Sequence, residues 1–472
     1  MDGTRSQSID EAGSRKRRAK SLPISVIYLI MVGLLLVGYS FFNKGFAYVG
    51  YNPLYIGEIV LGVGIFAMLA GGGSLRFLRS PIIWALFLYV TWQVLVLIPG
   101  VSKFGFLALR DSVIWLYSLF AIFVSAALLR SRTVAKVPEW YFFFLPAWAI
   151  AAPFLFVLTE MFFQHIPRYP GSDIPIIWLK AGDMGVQIGG AAAFLMLGLH
   201  KQFRQSISRH ASAQETYVWL FLLIGLIACG SRNRGGLFAA LCACGVVTLF
   251  KPINRLTKLL LPMIIVVMIL LVVDLRVPVG GERYISLNQI YDNLSSVFFK
   301  SNKHELAGTE KWRLSWWTEI INDTVYGDNF WTGVGYGKSL AKLDGFADAT
   351  GNRSPHNGHL TILSRSGVPG FALWLTLLAT ILFSLLRAIF AARAAGQTVV
   401  ANLSIWVLGF FVAFLVNTSV DVFLEGPQGG IWFWCLVGYA IALTEERPSL
   451  SVRDAASPRR APRGTTPVRR AA

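Results

Sequence analysis

Four stretches of the 472-residue chain carry side chains suited to chemistry. The first is Arg353-Ser-Pro-His-Asn-Gly-His-Leu, in which His356 and Asn357 follow Pro355. Proline is favoured at the start of a helix, which predicts His356 and Asn357 in its first turn. An imidazole is the side chain best suited to take a proton from a hydroxyl near neutral pH. The competing reading is a polar cap. His359 invites a zinc reading, but no third ligand stands at suitable spacing, so no metal is expected.

The second stretch, Glu310–Asp323 (EKWRLSWWTEIIND), repeats Trp312, Trp316 and Ile320 every four residues beside a row of Arg313, Trp317 and Ile321. That spacing predicts an amphipathic helix on a membrane surface, with aromatic rings at headgroup depth. Arg313 then either snorkels as an anchor or faces an anionic group. The third stretch, Ser231-Arg-Asn-Arg-Gly-Gly, sets Arg232 and Arg234 in a turn with no acid beside them in the sequence. Two such guanidinium groups need a partner: a lipid headgroup, or a diphosphate whose oxygens an arginine fork matches. The fourth holds Gly333, Gly335 and Gly337 in TGVGYGKS, without the spacing or context of a phosphate loop; it reads as a tight turn or a close backbone approach.

Composition decides what elements position these groups. Hydrophobic residues make up 55% and charged residues 14%, with a mean hydropathy of +0.57. Apolar side chains in long blocks exclude a soluble enzyme, a disordered scaffold and a disulfide-stapled secreted domain. The expected fold is all-α and polytopic. Twelve blocks approach the length of a transmembrane helix: 22–42, 54–72, 81–99, 113–129, 140–163, 182–200, 217–231, 235–250, 259–277, 366–389, 401–420 and 431–444. Cys229, Cys242, Cys244 and Cys435 all lie in such blocks and read as small hydrophobes.

The formal net charge of +18 suits basic membrane loops better than nucleic acid. Of 43 Lys and Arg, 26 fall in segments that alternate to one side, with both termini among them. The positive-inside rule makes that side cytoplasmic. The chain thus divides into a basic cytoplasmic N-terminus (1–21), spans one to nine (22–277), a long outer loop (278–355), the His-Asn segment with spans ten to twelve (356–444) and a disordered basic tail (445–472). A loop of such length in a compact membrane protein is a functional element.

The order SRNRGG, KWRLSWW, NFWTGVGYGKS and SPHNGHLTILSRSGVPG before a span resembles the O-antigen ligase and polymerase superfamily of bacterial envelope enzymes. The resemblance covers about residues 228–392. It implies transfer of a glycan from a polyprenyl (undecaprenyl) diphosphate carrier to an acceptor hydroxyl at the periplasmic face of the inner membrane, with membrane lipids around the site. Arg232 or Arg234, together with Arg313, would hold the diphosphate, and His356 would act on the acceptor. Asn357, Trp316, Trp317 and Arg353 are expected to line the substrate. Inversion, no metal and no other cofactor follow from the same scheme. A polysaccharide flippase and a chain-length regulator are the protein partners it suggests. A secondary transporter or flippase, and a non-catalytic assembly partner, are the alternatives; no convincing internal repeat favours the transporter.

Overall fold

The computed structural model describes residues 22–170, 172–202, 211–251, 304–346 and 353–456, with short pieces at 268, 276–279, 283–286, 288–291 and 293. The described residues are mostly helical with almost no strand, and the protein is an all-α polytopic membrane protein. The longer helices are α1 (Ile24–Phe42), α2 (Ile56–Ala67), α3 (Pro81–Phe104), α4 (Leu119–Ser131), α5 (Val137–Phe162), α6 (Ala181–Met196), α7 (Ala211–Arg232), α8 (Arg234–Phe250), α9 (His304–Ile321), α10 (Gly358–Ala394), α11 (Thr398–Thr418) and α12 (Pro427–Ala456). Two short antiparallel pairs, Gly50–Tyr51 with Leu54–Tyr55 and Val277–Val279 with Arg283–Ile285, sit in connections.

Helices coincide with eleven of the twelve apolar blocks; the ninth, 259–277, lies almost entirely outside the described residues. Among the described residues, seven helices are long and apolar enough to cross a membrane. Ile56–Gly71 and Arg234–Phe250 are apolar but shorter. Small residues bring α6, α8 and α11 into close contact. A methyl group on Gly185 would strike the backbone of Gly236, and one on Gly190 would lie 2.6 Å from the Phe410 ring. Close backbone approach of this kind is how helices associate where lipid removes the hydrophobic drive between them.

Two expectations need correction. The aromatic row of α9 is covered by protein, not by lipid. Trp316 and Ile320 are buried with Leu340, Ala341 and Leu363 in a second small core, flanked by Trp312, Val334 and Phe346. The row is apolar because it packs on protein. The helix carrying His356 also begins later than Pro355 predicts. Asn357 is the N-cap of α10, its side-chain oxygen accepting from the N–H groups of His359 and Leu360 at 3.0 and 3.1 Å, so His356 stands before the helix.

Helix α10 is broken at Gly367 (φ 69°, ψ −177°), and Pro369 cannot donate to the Arg365 carbonyl. Inside a membrane protein every freed backbone group requires a partner. The 330–336 segment supplies them. Val334 N–H donates to Ser364 O at 2.8 Å, Gly335 N–H to Arg365 O at 3.1 Å, and Phe330 O accepts from Val368 N–H at 2.8 Å. Trp92 Nε1 donates to Ser366 O at 2.9 Å, closing the gap from α3. The glycine-rich stretch is therefore a close backbone approach, as its spacing predicts. Alanine at Gly367 would adopt a glycine-only conformation and place its methyl 2.5 Å from the carbonyls of Phe330 and Trp331. Gly367→Ala should cost about 2–3 kcal/mol, from strain of about 1–3 kcal/mol plus the collision. An unchanged melting temperature of the detergent-solubilised protein would refute that origin of the break.

Candidate functional site

The site is assembled around the loop that follows α11. Three helix N-termini meet there. Glycine permits each approach: a methyl on Gly182, in the first turn of α6, would lie 2.8 Å from Asn417 Oδ1; one on Gly235, in the first turn of α8, 3.2 Å from the same atom; one on Gly358, at the start of α10, 2.7 Å from Thr418 Cγ2. Unsatisfied N–H groups and the helix dipole make each such end favourable to negative charge.

Cations occupy the same place. Lys180 is the N-cap residue of α6 and its Nζ lies 3.9 Å from Asp421 Oδ1. His356 Nδ1 lies 3.8 Å from the same oxygen, an ion-pair separation rather than a hydrogen bond. Arg313 reaches over from α9 and donates to the carbonyl of Val420 at 3.2 Å, while its Nε is buried without a partner. Burial pulls the Arg313 guanidinium below its ordinary value; Asp421 opposes that shift and Arg234 adds to it. Burial alone would push the Asp421 carboxyl up, yet Lys180 and then His356 outweigh it and hold Asp421 well below the usual carboxylate range. Asp421 is therefore ionised at neutral pH. Its contribution to stability is complete above the ordinary carboxylate range and is lost only in strong acid.

His356 is held in a backbone conformation that few side chains adopt, with φ 54°. Outside glycine that conformation costs roughly 1–2 kcal/mol and persists only where the surroundings impose it. They do so from both sides: Trp317 Nε1 donates to Pro355 O at 2.9 Å, and the Asn357 cap fixes the following residue. The Trp312 ring packs edge-on against the imidazole, with centroids 6.2 Å apart. Trp316 anchors that tryptophan from below, stacked on Phe346 and donating to Asp344 Oδ2 at 2.6 Å.

The arginines divide by partner. Arg232 forms an ion pair with Glu160 at the end of α5, so the acid absent from its own sequence neighbourhood arrives from another helix. Arg234, the first residue of α8, makes no ion pair or side-chain hydrogen bond among the described residues. Arg353 is tied to Asp111 at 3.1 Å, and the same carboxylate takes Arg365 at 3.0 Å and the Gly337 N–H at 3.1 Å. His359 faces inward, its Nδ1 accepting from Trp374 Nε1 at 3.0 Å. Of the residues expected from sequence, Arg313 and His356 converge on the Val420–Asp421 loop, and Arg234 lies near enough to Arg313 to act on its charge. Trp317 and Asn357 frame them, while Trp316, Arg232 and Arg353 hold neighbouring parts of the scaffold.

Residues 219–375 match a family model described as O-antigen ligase. That third of the chain is thus similar to an O-antigen ligase domain. A domain of this family brings ligase- or polymerase-like glycan transfer, acting on lipid-linked glycans, to a multi-pass membrane protein. No curated protein matches the chain. The matched region includes Arg234, Arg313 and His356, whereas Lys180 and Asp421 lie outside it. Sequence reasoning passed over Asp421. The available signal was an acid at the outer end of an apolar block, where short connections otherwise carry little charge.

Asp111 offers a test of the scaffold. Its replacement by Asn removes the counterion of the buried Arg365 and the half-buried Arg353, a loss of about 3–5 kcal/mol for a broken buried pair. Asp111→Asn should lower the melting temperature and the yield of folded protein. An Arg353→Gln variant of normal stability whose only defect is a raised KM would instead place Arg353 on the substrate.

Proposed function

We propose that the protein transfers a glycan from a polyprenyl diphosphate carrier to an acceptor hydroxyl at the periplasmic face of the bacterial inner membrane, as a ligase or a surface-polysaccharide polymerase. One observation carries this reading: Arg313 and His356, remote in sequence, meet at the Val420–Asp421 loop among three helix N-termini, with Arg234 near enough to Arg313 to act on its charge. Such a place suits a diphosphate beside a proton acceptor.

In this scheme Arg234 and Arg313 hold the carrier diphosphate, and Arg232, braced on Glu160, fixes the turn that presents Arg234. Asp421 draws on Nδ1 of His356 and leaves Nε2 to accept the proton of the acceptor hydroxyl. The hydroxyl oxygen attacks the anomeric carbon from the face opposite the diphosphate. The bond from that carbon to the phosphate oxygen breaks, and the electron pair departs with the carrier. Inversion at the anomeric carbon follows. The guanidinium groups meet the charge that grows on the leaving oxygen, an electrostatic task that preorganised cations perform in a site poor in water. The scheme uses no nucleotide sugar and no metal. With twelve spans and both termini in the cytoplasm, the long loop and His356 lie outside.

His356→Ala should lower kcat by about 10²–10⁴-fold, the usual contribution of a general base, while the protein still inserts and folds. Asp421→Asn should reduce kcat by on the order of 100-fold with little change in donor KM, because it disturbs orientation and not binding. Both are read on purified protein given carrier-linked glycan and acceptor, in the presence of chelator. Full activity of His356→Ala would defeat the reading, and abolition of wild-type activity by chelator would defeat its metal-free form. In cells lacking the gene, full-length chains left on the carrier indicate a ligase and single repeat units a polymerase.

A further inference from the structure

Lys44 lies near enough to Asp421 and Lys180 to feel their charge, and the scheme above leaves it idle. It follows α1 in a turn that runs beside the segment entering α6. The Lys44 N–H donates to Trp178 O, and the Trp178 N–H to Phe42 O, both at 3.2 Å. A parallel bridge links Asn43 to Trp178. In this extended segment side chains alternate, so Trp178 and Lys180 share a face while Leu179 between them is buried. The Lys44 ammonium sits 3.8 Å above the Trp178 ring. The two lysines therefore face the same space.

Their surroundings leave Lys44 without a counterion. Lys180 is paired with Asp421 and also faces Asp183 and Glu425, yet among the described residues no carboxylate lies within ion-pair distance of Lys44. Burial, and then the neighbouring Lys180, pull the Lys44 ammonium down to about 8, with Asp183 and Asp421 acting against them. An oxyanion placed between the lysines would relieve both the desolvation and the repulsion. Reach is not an obstacle: Lys180 contacts Asp421 itself, and Arg313 contacts the carbonyl of Val420, one residue away.

We propose that Lys44 and Lys180 form a second oxyanion subsite that holds one phosphate of the carrier diphosphate while Arg234 and Arg313 hold the other. The proposal rests on the glycan-transfer reading and goes beyond it by assigning two residues outside the matched domain. Two subsites sharing one carboxylate distinguish a diphosphate from a single phosphate.

The test is calorimetric titration of the full-length protein in detergent micelles with inorganic pyrophosphate and, separately, inorganic phosphate. The wild-type protein should prefer pyrophosphate. Lys44→Met should weaken pyrophosphate about tenfold, the loss of one charge-assisted hydrogen bond, and leave phosphate binding nearly unchanged. Lys44→Arg, which keeps the charge above Trp178, should retain the preference. Arg313→Gln should weaken both ligands. A wild-type preference that survives Lys44→Met but falls in Arg313→Gln removes the lysine subsite and leaves the arginine assignment standing. Loss of the preference in Lys44→Arg as well points to packing and also overturns the proposal. Binding unaltered by either Lys44→Met or Arg313→Gln, or absent from the wild type, removes the lysine subsite together with the arginine assignment.

Discussion

Positive charge gathered at one end of a membrane domain is the condition on which the rest of this structure depends. Lys180, Arg313 and His356 stand around one buried carboxylate, Asp421, with Arg234 near enough to act on Arg313, at helix ends that already favour anions. Two unit charges 4 Å apart near a protein surface interact by about 4 kcal/mol, so such crowding is costly without compensation. Asp421 offsets part of that cost, and its carboxyl stays ionised because the cations outweigh its burial. Removing either kind of charge would leave the other unpaired, so the two are retained together.

Positioning these groups requires elements from both halves of the chain to keep fixed distances, and the break in α10 provides that. Arg313 belongs to α9, whereas His356 stands at the threshold of α10. The 330–336 segment bonds into the broken turn at Gly367, and Trp317 bonds to the carbonyl just before His356. Loop and helix are thus locked at both ends of the first half of α10. The Asp111 carboxylate adds a third lock, joining Arg353, Arg365 and Gly337. A long segment becomes a rigid part of the site because the groups that a helix break leaves unsatisfied are the ones it satisfies.

Much of this was legible in the sequence, for identifiable reasons. Apolar blocks of bilayer length located the helices, since length and hydropathy are local properties. His356, Arg313 and Arg234 were legible because a polar group at a membrane boundary has few innocent roles. The glycines at 333–337 were legible as a close approach, though not what they approach. Partnership was hidden. Glu160 beneath Arg232, Asp111 beneath Arg353 and Asp421 beside His356 each come from a distant part of the chain, and spacing along it carries no trace of such pairs. The buried row of α9 was misplaced for the same reason: an amphipathic pattern specifies an apolar face without saying whether lipid or protein will cover it.

The division of labour among the arginines follows from where counterions stand. A guanidinium already paired with a carboxylate must lose that partner before it can serve a phosphate, while an unpaired one pays its desolvation in advance and gains it back when the anion arrives. Arg232 and Arg353 belong to the first kind, Arg234 and Arg313 to the second. Asp421 stands near the second pair and does not annul it, because its charge is shared with Lys180 and His356. One carboxylate among several cations thus leaves the site positive on balance, and under the proposed transfer that residual charge would draw a lipid-linked diphosphate away from the zwitterionic headgroups around it.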